Sequence, residues 1–191
     1  MHRVGHADYG VHAATLGDAA GIARVHVDTW RTTYRGVVRQ SFLDALSYGQ
    51  REDQWRAAIA RPAGGVVLVA REPAGPVVAF AAGGPERTGR RGYDGELYAL
   101  YVLEPFQRHG LGSALLTAVA SALLESERHG LLAWVLARNP AVGFYARRGG
   151  QRIDERTVPI AGEELDELAF GWERLEDLIR PPPERERAPS R

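Results

Sequence analysis

Glu96-Leu97-Tyr98-Ala99-Leu100-Tyr101-Val102 runs through Leu103-Glu104-Pro105-Phe106 into Gln107-Arg108-His109-Gly110-Leu111-Gly112-Ser113, and this stretch decides the fold. Its first part alternates as a strand does. Glu96, Tyr98, Leu100 and Val102 would share one face, and Leu97, Ala99, Tyr101 and Leu103 the other. Pro105 stops the strand, and Leu111, Leu115, Ala118 and Ala122 then recur at helical spacing until His129-Gly130. Gln107-x-x-Gly110-x-Gly112 therefore opens the longest helix directly after the best strand. Free backbone N–H groups and the positive end of the helix dipole meet there, and glycines let an anion approach the backbone. A tight strand-to-helix turn with no ligand would carry the same glycines. A phosphate-binding P-loop needs a lysine, and the chain has none; a dinucleotide fingerprint needs glycine at position 115, which is Leu.

Upstream, Val11 to Ala14 reads as a short strand, and Thr15 with Asp18 as the start of a helix carrying Ile22, Val25 and Val27. Gly36 interrupts the pattern after Tyr34. Ser41 caps a second helical stretch that runs through Trp55 and Ile59 to Arg61-Pro62, so two helices follow the first strand. Val66 to Ala70 and Val77 to Ala81 read as antiparallel strands, and Gly83 to Gly92 as a polar loop. Downstream, Leu131 to Leu136 suits a strand covered on both faces, and Ala141 to Arg148 a short helix ended by Gly149-Gly150. Strands follow around 152–158 and 165–172. The chain divides into one domain, 8–178, and a proline-rich charged tail, 179–191, which lacks apolar periodicity and reads as disordered.

The chain has 191 residues, enough for one core that buries roughly 70% of the surface an unfolded chain exposes. All 24 Lys+Arg positions are arginine, balanced by 24 carboxylates, and the net charge is zero. That balance argues against nucleic acid or an anionic membrane as partner. The absence of lysine and cysteine excludes a catalytic lysine and a covalent thioester intermediate, which favours direct transfer of any acyl group. Neither a membrane span nor a secretory signal is legible, and the expected location is cytoplasmic. His2 and His6 lack acidic or cysteine partners, and no metal is expected.

The loop, with the preceding strand and with Asn139, Phe144-Tyr145 and Gly149 after it, resembles the GNAT family of N-acetyltransferases, whose pyrophosphate loop reads Arg/Gln-x-x-Gly-x-Gly/Ala. The resemblance is strongest from Gly95 to Gly150. It implies an α/β fold, a central mixed and mostly antiparallel sheet flanked by helices, with splayed central strands. It implies acetyl-CoA as co-substrate, its pantetheine arm on the backbone of Leu100, Tyr101 and Val102, and its pyrophosphate on Gln107, Arg108, His109, Gly110, Leu111, Gly112 and Ser113. Asn139, Phe144 and Tyr145 would complete the cofactor site, with Tyr145 as general acid to the departing thiolate. Asn139 stands six residues before Tyr145, where many relatives have seven, so it reads equally as a helix cap.

Glu96, eleven residues before Gln107, stands where one branch of the family places its general base; a solvent-facing strand residue is the bland reading. The acceptor, a primary amine of a small molecule or a peptide, would meet Trp30, Tyr34, Arg35 and Tyr98, although core packing explains Trp30 equally well. The competing reading is a non-catalytic acyl-CoA-binding module, and relatives admit a homodimer whose interface the sequence does not fix.

Overall fold

A computed structural model describes residues 9–73, 75–90 and 92–179. Seven strands form one sheet: β1 (Val11–Ala13), β2 (Val66–Arg71), β3 (Val77–Pro85), β4 (Gly95–Val102), β5 (Leu131–Leu136), β6 (Gln151–Ile160) and β7 (Glu163–Trp172), in the order β1-β2-β3-β4-β5-β7-β6. Every neighbouring pair is antiparallel except β4 and β5. This is the mixed, mostly antiparallel sheet that the family resemblance implies.

The first helix, α1 (Ala19–Thr33), begins where Thr15 and Asp18 predict, after a single 3-10 turn. The Asp18 carboxylate accepts hydrogen bonds from the Thr15 backbone N–H at 2.8 Å and its hydroxyl at 2.9 Å, and pairs with Arg71 of β2. These contacts tie the helix start to the sheet and explain how a carboxylate can be buried.

The sequence reading joins too much into the second helix. The structure has α2 (Gln40–Ala45) and α3 (Tyr48–Ala60), separated at Leu46-Ser47. Ser47, not Ser41, is the cap: its Oγ accepts from the Gln50 N–H at 3.3 Å. α1 and α3 cover one face of the sheet, where Ile22, Val25, Val69, Phe80 and Ala99 pack together. α4 (Leu111–Glu125) covers the other, and its Leu115, Leu116, Val119 and Leu123 meet both sides of the sheet's centre, including Ala79 on β3 and Ala133 on β5.

β3 extends through Gly83 and Gly84, which the sequence reading places in a loop. A Cβ on Gly83 would lie 2.6 Å from Val119, and one on Gly84 would lie 2.7 Å from the Tyr98 hydroxyl, so the two glycines admit α4 and a crossing phenol ring. β6 and β7 form a longer hairpin than predicted, turned by Ala161 (φ 56°) and Gly162 (φ 77°). α5 (Val142–Arg147) is as expected, and α6 (Glu176–Ile179) ends the described chain. Residues 180–191 of the predicted tail, and His2 and His6, lie outside the described residues. No helix among the described residues is long and apolar enough to cross a membrane.

Candidate active site

β4 and β5 pair over three residues only: Gly95 with Leu131, Glu96 with Leu132 and Leu97 with Ala133. From Tyr98 onward β4 keeps its partner β3, while β5 keeps β7 as far as Leu136. The two strands therefore part, and the edge of β4 from Tyr98 to Val102 is left without a strand on the β5 side. Backbone donors and acceptors on such an edge seek a partner. Leu100, Tyr101 and Val102, which the resemblance assigns to the pantetheine arm, all lie on this stretch.

A bulge sets which side chains face the gap. β3 pairs Ala82 with Ala99 but Gly83 with Leu97, which leaves Tyr98 as the extra residue on β4. The simple alternation read from the sequence therefore fails at Tyr98. Leu97, Leu100 and Val102 pack towards α4, while Tyr98, Ala99, Tyr101 and Leu103 pack towards α1 and α3. Tyr101 consequently joins the side where Trp30 and Tyr34 stand.

The glycine loop follows directly. Arg108 (φ 65°) and Gly110 (φ 84°) are both left-handed, a conformation that glycine adopts freely and arginine rarely. The first bond at the start of α4 runs from the Ala114 N–H to the Gly110 carbonyl. The N–H groups of Leu111, Gly112 and Ser113 precede it and are left to an outside acceptor. A Cβ on Gly112 would sit 3.5 Å from the Phe144 ring, an ordinary contact, so internal packing does not require glycine there. A missing Cβ there leaves the backbone open to close approach from outside. Gln107 turns back, its Nε2 donating to the Val102 carbonyl at 3.0 Å, and Arg108 and His109 are exposed. These features fit an arm laid along β4 with its pyrophosphate at the start of α4.

Tyr145 on α5 is buried, stacked on Phe170 at 5.7 Å and edge-on to Phe144 at 5.2 Å. Burial, and secondarily the neighbouring Tyr101, raise its pKa well above the ordinary phenol value, so it stays protonated. Asn139 uses both ends of its amide: Oδ1 accepts from the Ala141 N–H at 2.8 Å at the start of α5, and Nδ2 donates to the Tyr34 hydroxyl at 2.8 Å. The bonds present hold the turn that leads into α5, whose N-cap is Ala141, and tether it to Tyr34.

On the α1 side, the Trp30 indole N–H donates to the Tyr101 hydroxyl at 3.0 Å, and its ring meets Tyr34 at 4.8 Å. Arg35 is exposed. Tyr98 stands apart from this group: its hydroxyl donates to the Pro85 carbonyl at 2.6 Å, and the Arg87 guanidinium lies over its ring at 3.9 Å. The same Arg87 holds Glu96. Its Nη2 donates to one carboxylate oxygen at 2.6 Å, and its Nε and backbone N–H donate to the other at 3.1 Å each. Glu96 is buried, so it is neither the solvent-facing residue of the bland reading nor an unpartnered carboxylate.

Two residues beside the site escaped the sequence reading. No motif marks Arg87. His26, four residues before Trp30 on α1, is buried; its Nδ1 accepts from the Trp55 indole N–H at 3.1 Å, and its ring stacks on Tyr101 at 5.0 Å. Burial, reinforced by the Arg51 charge, pulls its pKa down to about 3. A histidine on the apolar face of a helix was the available signal.

Comparison with known proteins agrees with this geometry. Residues 89–158 match the model of the FR47-like protein family. YuaI of Bacillus subtilis (strain 168), an uncharacterized N-acetyltransferase, is 42% identical over 168 residues, spanning 88% of this chain and 95% of that protein. Among solved structures, yncA of Salmonella typhimurium, described as a candidate acetyltransferase with its cofactor acetyl-CoA, superposes with a TM-score of 0.66 at 20% identity, covering 87% of this chain and 93% of that one. The ribosomal-protein-alanine N-acetyltransferase of Brucella melitensis does so with a TM-score of 0.67 at 24% identity, covering 85% and 98%. With the splayed strands, the left-handed loop at the start of α4 and a curated relative matched along nearly its whole length, the chain belongs to the GNAT family of N-acetyltransferases.

Proposed function

We propose that the enzyme moves the acetyl group of acetyl-CoA directly to a primary amine of a small molecule or a peptide. The observation that carries this reading is the three-rung junction of β4 and β5 directly before the loop of Gln107 to Ser113. One element offers an unpaired strand edge and the next offers unbonded N–H groups, in the order of an arm and its pyrophosphate.

Leu100, Tyr101 and Val102 would hold the arm by their backbone; Arg108, His109, Gly110, Leu111, Gly112 and Ser113 would hold the pyrophosphate. Phe144 closes the side wall next to Gly112. The thioester supplies an activated acyl carbon, and the chain has no cysteine to intercept it. Tyr145, neutral and buried, donates its proton to the departing sulfur. Trp30, Tyr34 and exposed Arg35 border the acceptor's approach, and Tyr98 shapes it from the bulge.

Glu96 is the base in this reading, and the structure adds a condition. Its carboxylate can take the amine proton only when Arg87, whose side chain is 59% exposed, swings away. Otherwise the proton leaves through water. No nucleic acid or membrane partner is part of this proposal, and the protein acts in the cytoplasm.

The test is a panel of small amines and short peptides with acetyl-CoA, following release of free thiol. Amine-dependent release with at least one acceptor is expected. Thiol release that no amine accelerates, in a protein that still binds CoA, would overturn the transfer assignment.

A further inference from the structure

We propose that the hydroxyl groups of Tyr34 and Tyr101 donate hydrogen bonds to the acetyl carbonyl oxygen of the thioester, as partners of Tyr145. The proposal rests on the reading of the β4–β5 gap as the seat of acetyl-CoA.

A phenol carries one donor and can accept as well. At Tyr101 the accepting side is taken by Trp30 Nε1 at 3.0 Å, and at Tyr34 by Asn139 Nδ2 at 2.8 Å. Each incoming donor fixes the orientation of the oxygen and turns its own O–H elsewhere. Two other tyrosines show the contrast, since Tyr48 donates to Asp28 and Tyr98 to the Pro85 carbonyl, both at 2.6 Å. Among the described residues, Tyr34, Tyr101 and Tyr145 donate to no protein acceptor.

Shared contacts link the three tyrosines across separate elements. Tyr101 is on the parted half of β4. Tyr34 ends α1 and shares the Trp30 indole with Tyr101. Tyr145 rides on α5, whose first turn is tethered to Tyr34 through Asn139. Burial raises all three phenols; Tyr34 is pushed further by Tyr101 and Tyr145, and Tyr145 by Tyr101. The groups therefore remain neutral donors across the working pH range.

Neutral donors fixed in a dry site serve where negative charge builds. As the amine nitrogen attacks, the C–N bond forms and the carbonyl π pair moves onto oxygen. When that pair returns, the C–S bond breaks and its electrons leave with sulfur, which takes the Tyr145 proton. The proton shed by nitrogen passes to Glu96 or to water, and Tyr145 regains a proton from solvent, so one proton leaves the amine for each one that sulfur takes up. Tyr34 and Tyr101 would hold the oxygen throughout, because their accepting sides are already occupied by Asn139 and Trp30.

The test does not need the acceptor. Calorimetric titration with acetyl-CoA and with CoA compares the wild type, Tyr101→Phe and Tyr34→Phe, with circular dichroism and melting curves to verify folding. The wild type should prefer acetyl-CoA. Each variant should lose about threefold to tenfold in acetyl-CoA affinity, the scale of one hydrogen bond, while CoA binding stays within about twofold. If Tyr34→Phe unfolds by loosening the Asn139 tether, Tyr101→Phe decides alone. An unchanged preference, or equal weakening of both ligands, overturns the proposal. A wild type that binds neither ligand overturns the cofactor reading itself, and this proposal with it.

Discussion

His26 should make the protein acid-sensitive in a way that one substitution removes. The ring is 8% exposed, Nδ1 accepts from Trp55, and burial with the Arg51 charge holds the pKa at about 3 against the ordinary 6.5. The unfolded chain takes up a proton near pH 6.5 that the folded protein refuses until near pH 3. Stability from this residue is therefore complete above about pH 6.5 and falls as pH drops through that window, by about 1.4 kcal/mol per pH unit. At pH 4.5 the loss reaches about 2.7 kcal/mol, a large part of a typical domain's stability. Urea melts followed by tryptophan fluorescence at pH 7.5, 6.5, 5.5 and 4.5 measure the slope. His26→Gln keeps an acceptor for the Trp55 indole and deletes the titration. The variant should be less stable at pH 7.5 and lose stability more slowly on acidification, by one proton's worth between pH 6.5 and 5. Parallel wild-type and variant curves would show that His26 titrates normally and refute the argument from burial.

Glu96→Gln should lower turnover on a confirmed acceptor by roughly 10²-fold and leave CoA affinity within a few-fold; wild-type turnover would assign proton removal to water. CoA at a hundredfold excess over its dissociation constant should stabilise the fold by about 2.7 kcal/mol in thermal-shift assays, with no comparable response to NAD or ATP. Gly110→Glu should abolish that shift, by placing a carboxylate at the anion's position and a side chain at φ 84°. Gly83→Ala should cost about 1–3 kcal/mol in a urea melt, because its Cβ falls 2.6 Å from Val119; a cost near zero would mean that α4 retreats freely.

The central strand, the glycine loop and the order of elements from Glu96 to Gly150 were legible because each carries its own local signal: alternation, a proline stop, left-handed glycine and helical spacing. The break between α2 and α3 was not, since Leu46-Ser47 contains neither glycine nor proline and only the Ser47 cap marks it. The bulge at Tyr98 depends on pairing between β3 and β4, and strand periodicity within β4 says nothing about its partner. Gly83-Gly84, read as loop, was the visible trace of it. The partnership of Arg87 with Glu96 brings together residues that the sequence reading placed in a loop and on a strand, and no spacing rule foretells it. The glycine loop was thus read from backbone demands, which are local, while the surroundings of Glu96 were set by tertiary contact.

The short junction of β4 with β5 leaves this sheet with an edge inside the molecule as well as at its rims. Edges recruit other strands, and proteins normally blunt them with charge, proline or a cover. From Leu97 to Val102 β4 carries none of the first two, only apolar and aromatic residues. A bound acetyl-CoA would therefore do for this protein what a capping loop does elsewhere, shielding a β-prone segment from neighbouring chains. Purification without ligand would expose that segment to self-association, and a reversible cofactor would double as a built-in aggregation guard.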